Sequence, residues 1–174
     1  MQPPGTGKSR TIVALIKLLK QHFRVPAPIL LVAPTHVSID HLLSMLVDDG
    51  LNPLRLGKIP RVRADLQQWT VDQRRERHPM WRRTEEAREA SETARKELLA
   101  WRERHIGTSD PATMTTETLL SERYRRCWRK FIAYEHRLYS SLFATVDVFC
   151  ATSIGSGTNR ILDVRLCFLA STSR

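Results

Sequence analysis

The sequence predicts an α/β fold: a parallel sheet carrying a phosphate-binding loop, incomplete as it stands, with an inserted antiparallel α-helical hairpin. Three observations lead there. The chain opens on a glycine-containing run, Pro3-Pro4-Gly5-Thr6-Gly7-Lys8-Ser9. A short, continuous apolar run, residues 29–33, has the pattern of a strand buried on both faces, and residues 146–151, apolar but for Asp147, resume that pattern. Between them lies a long stretch rich in Arg, Glu, Trp and Ala with few β-branched runs, which reads as helical.

The opening run has the chemistry of a phosphate cradle. Its glycines let successive backbone N–H groups turn toward one point, Lys8 neutralises β- and γ-phosphates, and the Ser9 hydroxyl serves Mg²⁺. The following helix aims the positive end of its dipole at the same place. A nucleoside triphosphate suits this combination best. The full pattern G-x-x-x-x-G-K-[ST] has a glycine where Gln2 stands, and Met1 and Gln2 leave no room for the strand that normally leads into such a loop.

The elements follow in order. Ile12, Leu15, Ile16 and Leu19 recur at helical spacing, and Pro26 and Pro28 end that helix. Residues 29–33 form the first buried strand, giving the helix–strand rhythm of a βαβ fold. Residues 37–47 predict a second amphipathic helix with Ile39, Leu42, Leu43 and Leu46 inward, stopped by Asp48-Asp49-Gly50. Leu54-Arg55-Leu56 is a brief strand. Pro79 breaks a first helical segment of the middle stretch. Residues 80–105, with Ala87, Ala90, Ala94, Leu98, Trp101 and His105 in a stripe, predict one long helix, and a second runs from about Thr116 past Leu142. Residues 146–151 return to a buried strand that ends in a polar, glycine-containing loop, on the ligand side of an open α/β sheet. Residues 164–169 are a candidate last strand. The expected divisions are 1–60, 61–142 and 143–174.

Composition narrows the partners. The 174 residues are 41% hydrophobic and 26% charged, as in an ordinary soluble domain, but the net charge is +10. An anionic partner follows, nucleic acid ahead of a membrane surface. Arg123, Arg125, Arg126, Arg129 and Lys130 crowd into eight residues with Glu122 as the one acid, more than i,i+4 pairing neutralises. Arg125, Arg126 and Arg129 are therefore candidate phosphate contacts, with a solvated helix face as the alternative. Trp81 and Trp128 have rings that stack on bases, although packing between the helices is the expected use. Cys127, Cys150 and Cys167 match neither a zinc site nor a disulfide framework, and no apolar run is long enough to span a membrane. An intracellular protein, nuclear or cytoplasmic, is expected.

Three blocks, in this order, resemble the first motor half of a superfamily 1 helicase, in the branch of the nonsense-mediated-decay helicase. Residues 3–9 resemble its Walker A motif. Ala33-Pro34-Thr35-His36-Val37-Ser38-Ile39-Asp40 resembles motif Ia, and Cys150-Ala151-Thr152-Ser153-Ile154-Gly155-Ser156-Gly157 resembles the Cys-x-Thr-x-x-Gly block, motif Ic. The likeness covers residues 1–60 and 145–164, with the hairpin as an insertion. It implies a RecA-like P-loop NTPase sheet using ATP and Mg²⁺. Gly5, Thr6, Gly7, Lys8, Ser9 and Arg10 fall on the nucleotide side, Ser9 also on the metal. Pro34, Thr35, His36, Thr152 and Ser153 fall on the side of a single nucleic-acid strand, RNA or DNA. Hydroxyls and backbone N–H groups there contact phosphate without reading bases.

The family also has a Walker B Asp-Glu after motif Ic, which holds Mg²⁺ and positions the attacking water. In this sequence no acid follows Asp163, and Asp163 precedes the candidate strand instead of ending it. The expectation is a motor-domain fragment, truncated at both ends, that belongs to an ATP-hydrolysing family and does not turn over ATP alone. The alternative is a catalytically dead module that holds nucleic acid through its basic hairpin. Another type of P-loop ATPase or a small-molecule kinase fits the helical insertion and the Ala-Pro-Thr-His loop less well.

Overall fold

The structure, a computed structural model, describes residues 7–26, 28–57, 62–107 and 110–153. They form two compact units. One combines the described residues before Arg75 with those after Ala144, and the other is residues 75–144.

The first unit is a three-stranded parallel sheet with helices. Its elements are α1 (Lys8–Lys17, continued by a π-helical turn over Leu18–His22), β1 (Ile29–Ala33), α2 (His36–Asp48), β2 (Pro53–Arg55), a 3-10 turn (Ala64–Trp69) and β3 (Val148–Thr152). The strand order is β1-β3-β2, with Ile29 opposite Val148, Ala33 opposite Thr152 and Pro53 opposite Val148. The two apolar runs read as strands from sequence are thus neighbours, 119 residues apart in register. Central β3 is buried along its whole length, as the apolar run of residues 148–151 requires, and the burial extends to Thr152.

Side chains of α1 and α2 cover one sheet face. Val13 and Ile16 join Ile39, Leu42, Leu43 and Leu46 against Ala33, Val148 and Cys150. All four inward positions expected in α2 are buried. In α1 the buried pair is Val13 and Ile16, whereas Ile12 and Leu15 of the expected stripe stand exposed. Thr35 caps α2, its hydroxyl accepting from the Ser38 N–H at 3.1 Å. At the other end, Gly50 takes φ +76° and its N–H bonds Val47 O, while the Leu51 N–H bonds Leu46 O. This is the Schellman arrangement, and Leu51 and Leu46 are both in the core cluster.

The direction of α1 is fixed by its last turns. Lys17 pairs with Asp49 just past α2 at 2.8 Å, and Lys20 lies 3.6 Å from Asp147 just before β3. The C-terminal ends of α1 and α2 therefore lie at the N-terminal end of the strands. Their N-termini lie at the opposite, C-terminal edge of the sheet, where ligands bind open α/β folds.

Cys150 faces this core with no solvent exposure, and burial pushes its thiol up to about 12. In a Cys127→Ser, Cys167→Ser background, Cys150 should resist a thiol reagent at pH 8 until denaturant unfolds the chain. Because the unfolded thiol ionises first, this residue's contribution to stability is complete below about pH 9 and declines as pH rises toward 12. Rapid native labelling at pH 8 would contradict the burial.

The second unit is built on α4 (Trp81–Arg104) and α5 (Pro111–Ala144); the boundary falls within α3 (Val71–Glu76). Two ion pairs join the helices, Arg102 with Glu117 and Arg123 with Glu97, an antiparallel register. Ala87, Ala94 and Leu98 of the expected stripe are buried, and Ala90 is exposed. Helix α5 begins at Pro111, five residues before the expected start. Asp110 precedes that proline, the residue order of a helix start. No helix among the described residues is long and apolar enough to cross a membrane.

Candidate nucleotide and nucleic-acid site

The nucleotide-side candidates stand at the start of α1. Gly7 is its N-cap at φ +74°, a left-handed conformation that favours glycine, and Thr11 N–H closes the first helical bond to Gly7 O at 3.0 Å. No side chain caps this helix, and its first turn holds no acid. Lys8 and Arg10 are exposed and Ser9 is half-buried. A helix N-terminus with a cation, a hydroxyl and no acid in its own first turn fits an anion such as a triphosphate with its metal. Gly5 and Thr6 lie outside the described residues.

The strand-side candidates gather at the same edge. Motif Ia leaves β1 and enters α2, and motif Ic closes β3, next to β1 in the sheet. The Ser153 N–H donates to Ala33 O at 3.0 Å and its hydroxyl to the same oxygen at 3.4 Å. This ties the two loops where they leave the sheet. Pro34, Thr35 and Ser153 are exposed and His36 is half-buried. Thr152 is 8% exposed, so its side chain belongs to the packed end of β3 and the open loop begins one residue later. The Thr35 hydroxyl is engaged in the cap and also donates to Ser38 Oγ at 2.8 Å. The first helical bond of α2 is made by the Ile39 N–H to Thr35 O, so the amides of His36 and Val37 precede the helical ladder.

Behind motif Ia, His36 meets two buried charged residues, Arg55 and Asp40, that sequence reading did not assign to the site. Arg55, on β2, is completely buried. Its Nε donates to Asp40 Oδ1 at 3.0 Å, one Nη to Leu56 O, and the other lies 3.0 Å from His36 Nδ1. Asp40 Oδ2 accepts the Arg63 backbone N–H at 3.1 Å. The signal was present: Asp40 falls on the apolar face of α2, and Arg55 sits between two leucines. Opposite charges on two apolar faces need each other when buried.

In the helical unit the basic run divides. Arg123 is engaged with Glu97, and Lys130 sits 5.8 Å from the Tyr134 ring. Arg125, Arg126 and Arg129 are exposed, with no acidic side chain paired to them among the described residues. Trp81 holds the Arg75 guanidinium 4.5 Å from its ring centre, a packing use. Trp128 differs from the expected interhelical packing. It is 45% exposed and lines an open groove with Arg129, Ile132, His136 and Arg137.

A parallel sheet with an anion-suited helix start and two polar loops at its C-terminal edge has the layout of a P-loop domain, and the family match makes that domain one of superfamily 1 helicase type. The chain belongs to the AAA domain family, which it matches over residues 1–168. It is also similar to the DNA replication ATP-dependent helicase/nuclease DNA2 of several vertebrates. Identity is 36% over 70 residues with the Bos taurus protein (40% of this chain, 6% of that one). It is 37% over 67 residues with the Homo sapiens protein (38% and 6%) and 34% over 70 residues with that of Gallus gallus (40% and 7%). The chain thus matches a small part of these relatives' length.

Proposed function

We propose that this chain is part of the first motor half of an ATP-dependent superfamily 1 helicase, with residues 75–144 an α-helical insertion in a RecA-like sheet; the expected bounds of 61–142 shift because Val62 and Leu66 pack in the core of the sheet unit. Lys8 and the start of α1 hold the nucleotide phosphates, with Ser9 toward Mg²⁺. The open loops at the ends of β1 and β3 hold the backbone of a single nucleic-acid strand. The observation that carries this is the common edge: α1, α2 and β3 all present their ligand-facing termini at the C-terminal side of one parallel sheet. When bound, Mg²⁺–ATP supplies the phosphoryl chemistry; the residues described here bind and orient. With no acid after Asp163, the 174-residue chain should hydrolyse ATP no faster than its Lys8→Ala variant in the presence of single-stranded nucleic acid.

A second reading, nucleic-acid binding by the helical unit itself, is favoured by the exposed Trp128 beside arginines that have no acidic partner among the described residues. Phosphates would lie on Arg125, Arg126 and Arg129 and a base on the indole. Fluorescence anisotropy with a labelled single-stranded 15-mer tests both. Binding should weaken steeply with salt, and Arg125→Ala, Arg126→Ala, Arg129→Ala together should lower the logarithmic salt slope by about 2 if all three contact phosphate. An unchanged slope removes the helical unit from the interface. No binding by the intact chain at low salt contradicts both readings.

A further inference from the structure

We propose that Arg55 is a positioning residue for strand binding: from its buried place on β2 it holds His36 in the tautomer that turns an Nε2–H donor toward a phosphate of the bound strand. The inference rests on the motif Ia reading above and assigns that loop its donor.

The chemistry of the two partners sets the tautomer. A guanidinium has N–H donors and no acceptor, so the imidazole nitrogen 3.0 Å from Arg55 Nη must accept. That nitrogen is Nδ1. The ring's own hydrogen then resides on Nε2, at the opposite end of the imidazole, which has no hydrogen-bond partner among the described residues. His36 is half-exposed at the first position of α2, between the capping Thr35 and the highly exposed Val37. The donor therefore adds to the N-terminal amides of α2. It supplies what Thr35, engaged in its own cap, does not.

Arg55 is held more firmly than a surface contact would require. Asp40 fixes its Nε, Leu56 O fixes one Nη, and Asp40 is itself anchored by the Arg63 amide. The remaining Nη has His36 in front of it. Gly57 follows at φ +136°, a backbone conformation that favours glycine, and runs alongside the guanidinium: a Cβ there would lie 3.4 Å from Arg55 Nη1. Strand β2, at the far side of β3 from β1, thus reaches the motif Ia loop through one side chain. The cluster has the form of an outer-shell partner that orients a binding histidine, as carboxylates and carbonyls do for histidines elsewhere.

Two measurements on the full chain test this. Long-range ¹H–¹⁵N spectra at pH 8, with the His36 signals assigned by their loss in His36→Gln, should show an unprotonated Nδ1 and a protonated Nε2. A protonated Nδ1 overturns the proposal without any mutation that endangers folding. Single-strand affinity is then compared between two amides. Glutamine places its NH₂ near the position of Nε2 and should bind within about threefold of the wild type; asparagine reaches only as far as Nδ1 and should bind about tenfold more weakly, the size of one hydrogen bond to a charged group. Arg55→Lys keeps the charge but loses the fork, and should weaken binding about as much as His36→Asn. It should add nothing further in a His36→Asn background, because both changes remove the same contact. Equal binding by the glutamine and asparagine variants, or additive losses for Arg55→Lys and His36→Asn, would overturn the proposal while leaving strand binding intact. Absence of strand binding by the wild type would instead overturn the underlying reading, and the inference with it.

Discussion

Replacing Asp40 with alanine is expected to destabilise the sheet unit by about 3–5 kcal/mol, measured by urea unfolding at pH 7. Among the described residues Arg55 is the largest fully buried side chain, and Asp40 carries the one carboxylate within ion-pair distance of it. Truncation leaves a guanidinium without its counter-charge in a region that water does not reach. It also strips the acceptor from the Arg63 amide. The loss should therefore exceed that of any surface pair. Arg88, which bonds both Glu85 and Glu92 on exposed α4, offers the comparison. Its hydrogen bond holds the Glu85 carboxyl below the usual range, so that small contribution is present at neutral pH and lost as pH falls through the lowered value. Glu85→Gln should cost less than about 1 kcal/mol. The buried pair need not be worth its full cost of disruption: Asp40→Leu combined with Arg55→Met should recover much of the stability lost in Asp40→Ala. A loss below 1 kcal/mol in Asp40→Ala would mean that the guanidinium is solvated and the cluster is not as described.

The second large effect is on nucleotide binding. Lys8→Ala should weaken a fluorescent ATP analogue with Mg²⁺ by about a hundredfold or more. Two charge-assisted bonds of roughly 1.5–3 kcal/mol each are at stake between an ammonium and the terminal phosphates. Stability should change little, because Lys8 is exposed in the first turn of α1 and away from the Val13–Ile16 face that packs. The combination separates a binding defect from a folding defect. Saturable binding that survives in Lys8→Ala would place the nucleotide elsewhere. Equal and negligible binding by both proteins, from folded samples, would show that the start of α1 does not hold a nucleotide in this chain.

How much of this was legible in the sequence depended on how many faces of each element carry information. Helix α2 was readable residue by residue. Its apolar positions form one stripe, Thr35 is a cap, and Gly50 a stop, so periodicity and end signals agree. In α1 the apolar residues Ile12, Val13, Leu15, Ile16, Leu18 and Leu19 surround most of the helix, and spacing alone does not select Val13 and Ile16. The early start of α5 was hidden by threonines, which favour helix interiors weakly. In the structure Thr115, Thr116 and Thr118 each bond the carbonyl four residues back, which lets them stay helical. The two polar loops after residues 29–33 and 146–151 were legible as blocks, and their convergence follows from the parallel pairing of β1 with β3. The Asp40–Arg55–His36 cluster was not, since nothing local brings β2 behind the start of α2. Expectations that fall on residues 1–6 and 154–174, including most of the phosphate loop and the last strand, lie outside the described residues.

The most direct test of the common-edge site is a crosslink map. A single-stranded oligonucleotide carrying photoreactive bases is irradiated with the full chain, and the attached peptides are identified by mass spectrometry. The account predicts adducts in residues 34–38 and at Ser153, lost when salt dissociates the complex, with Trp128 added if the helical unit also engages the strand. Adducts confined to residues 110–144, with none at the ends of β1 and β3, would contradict it.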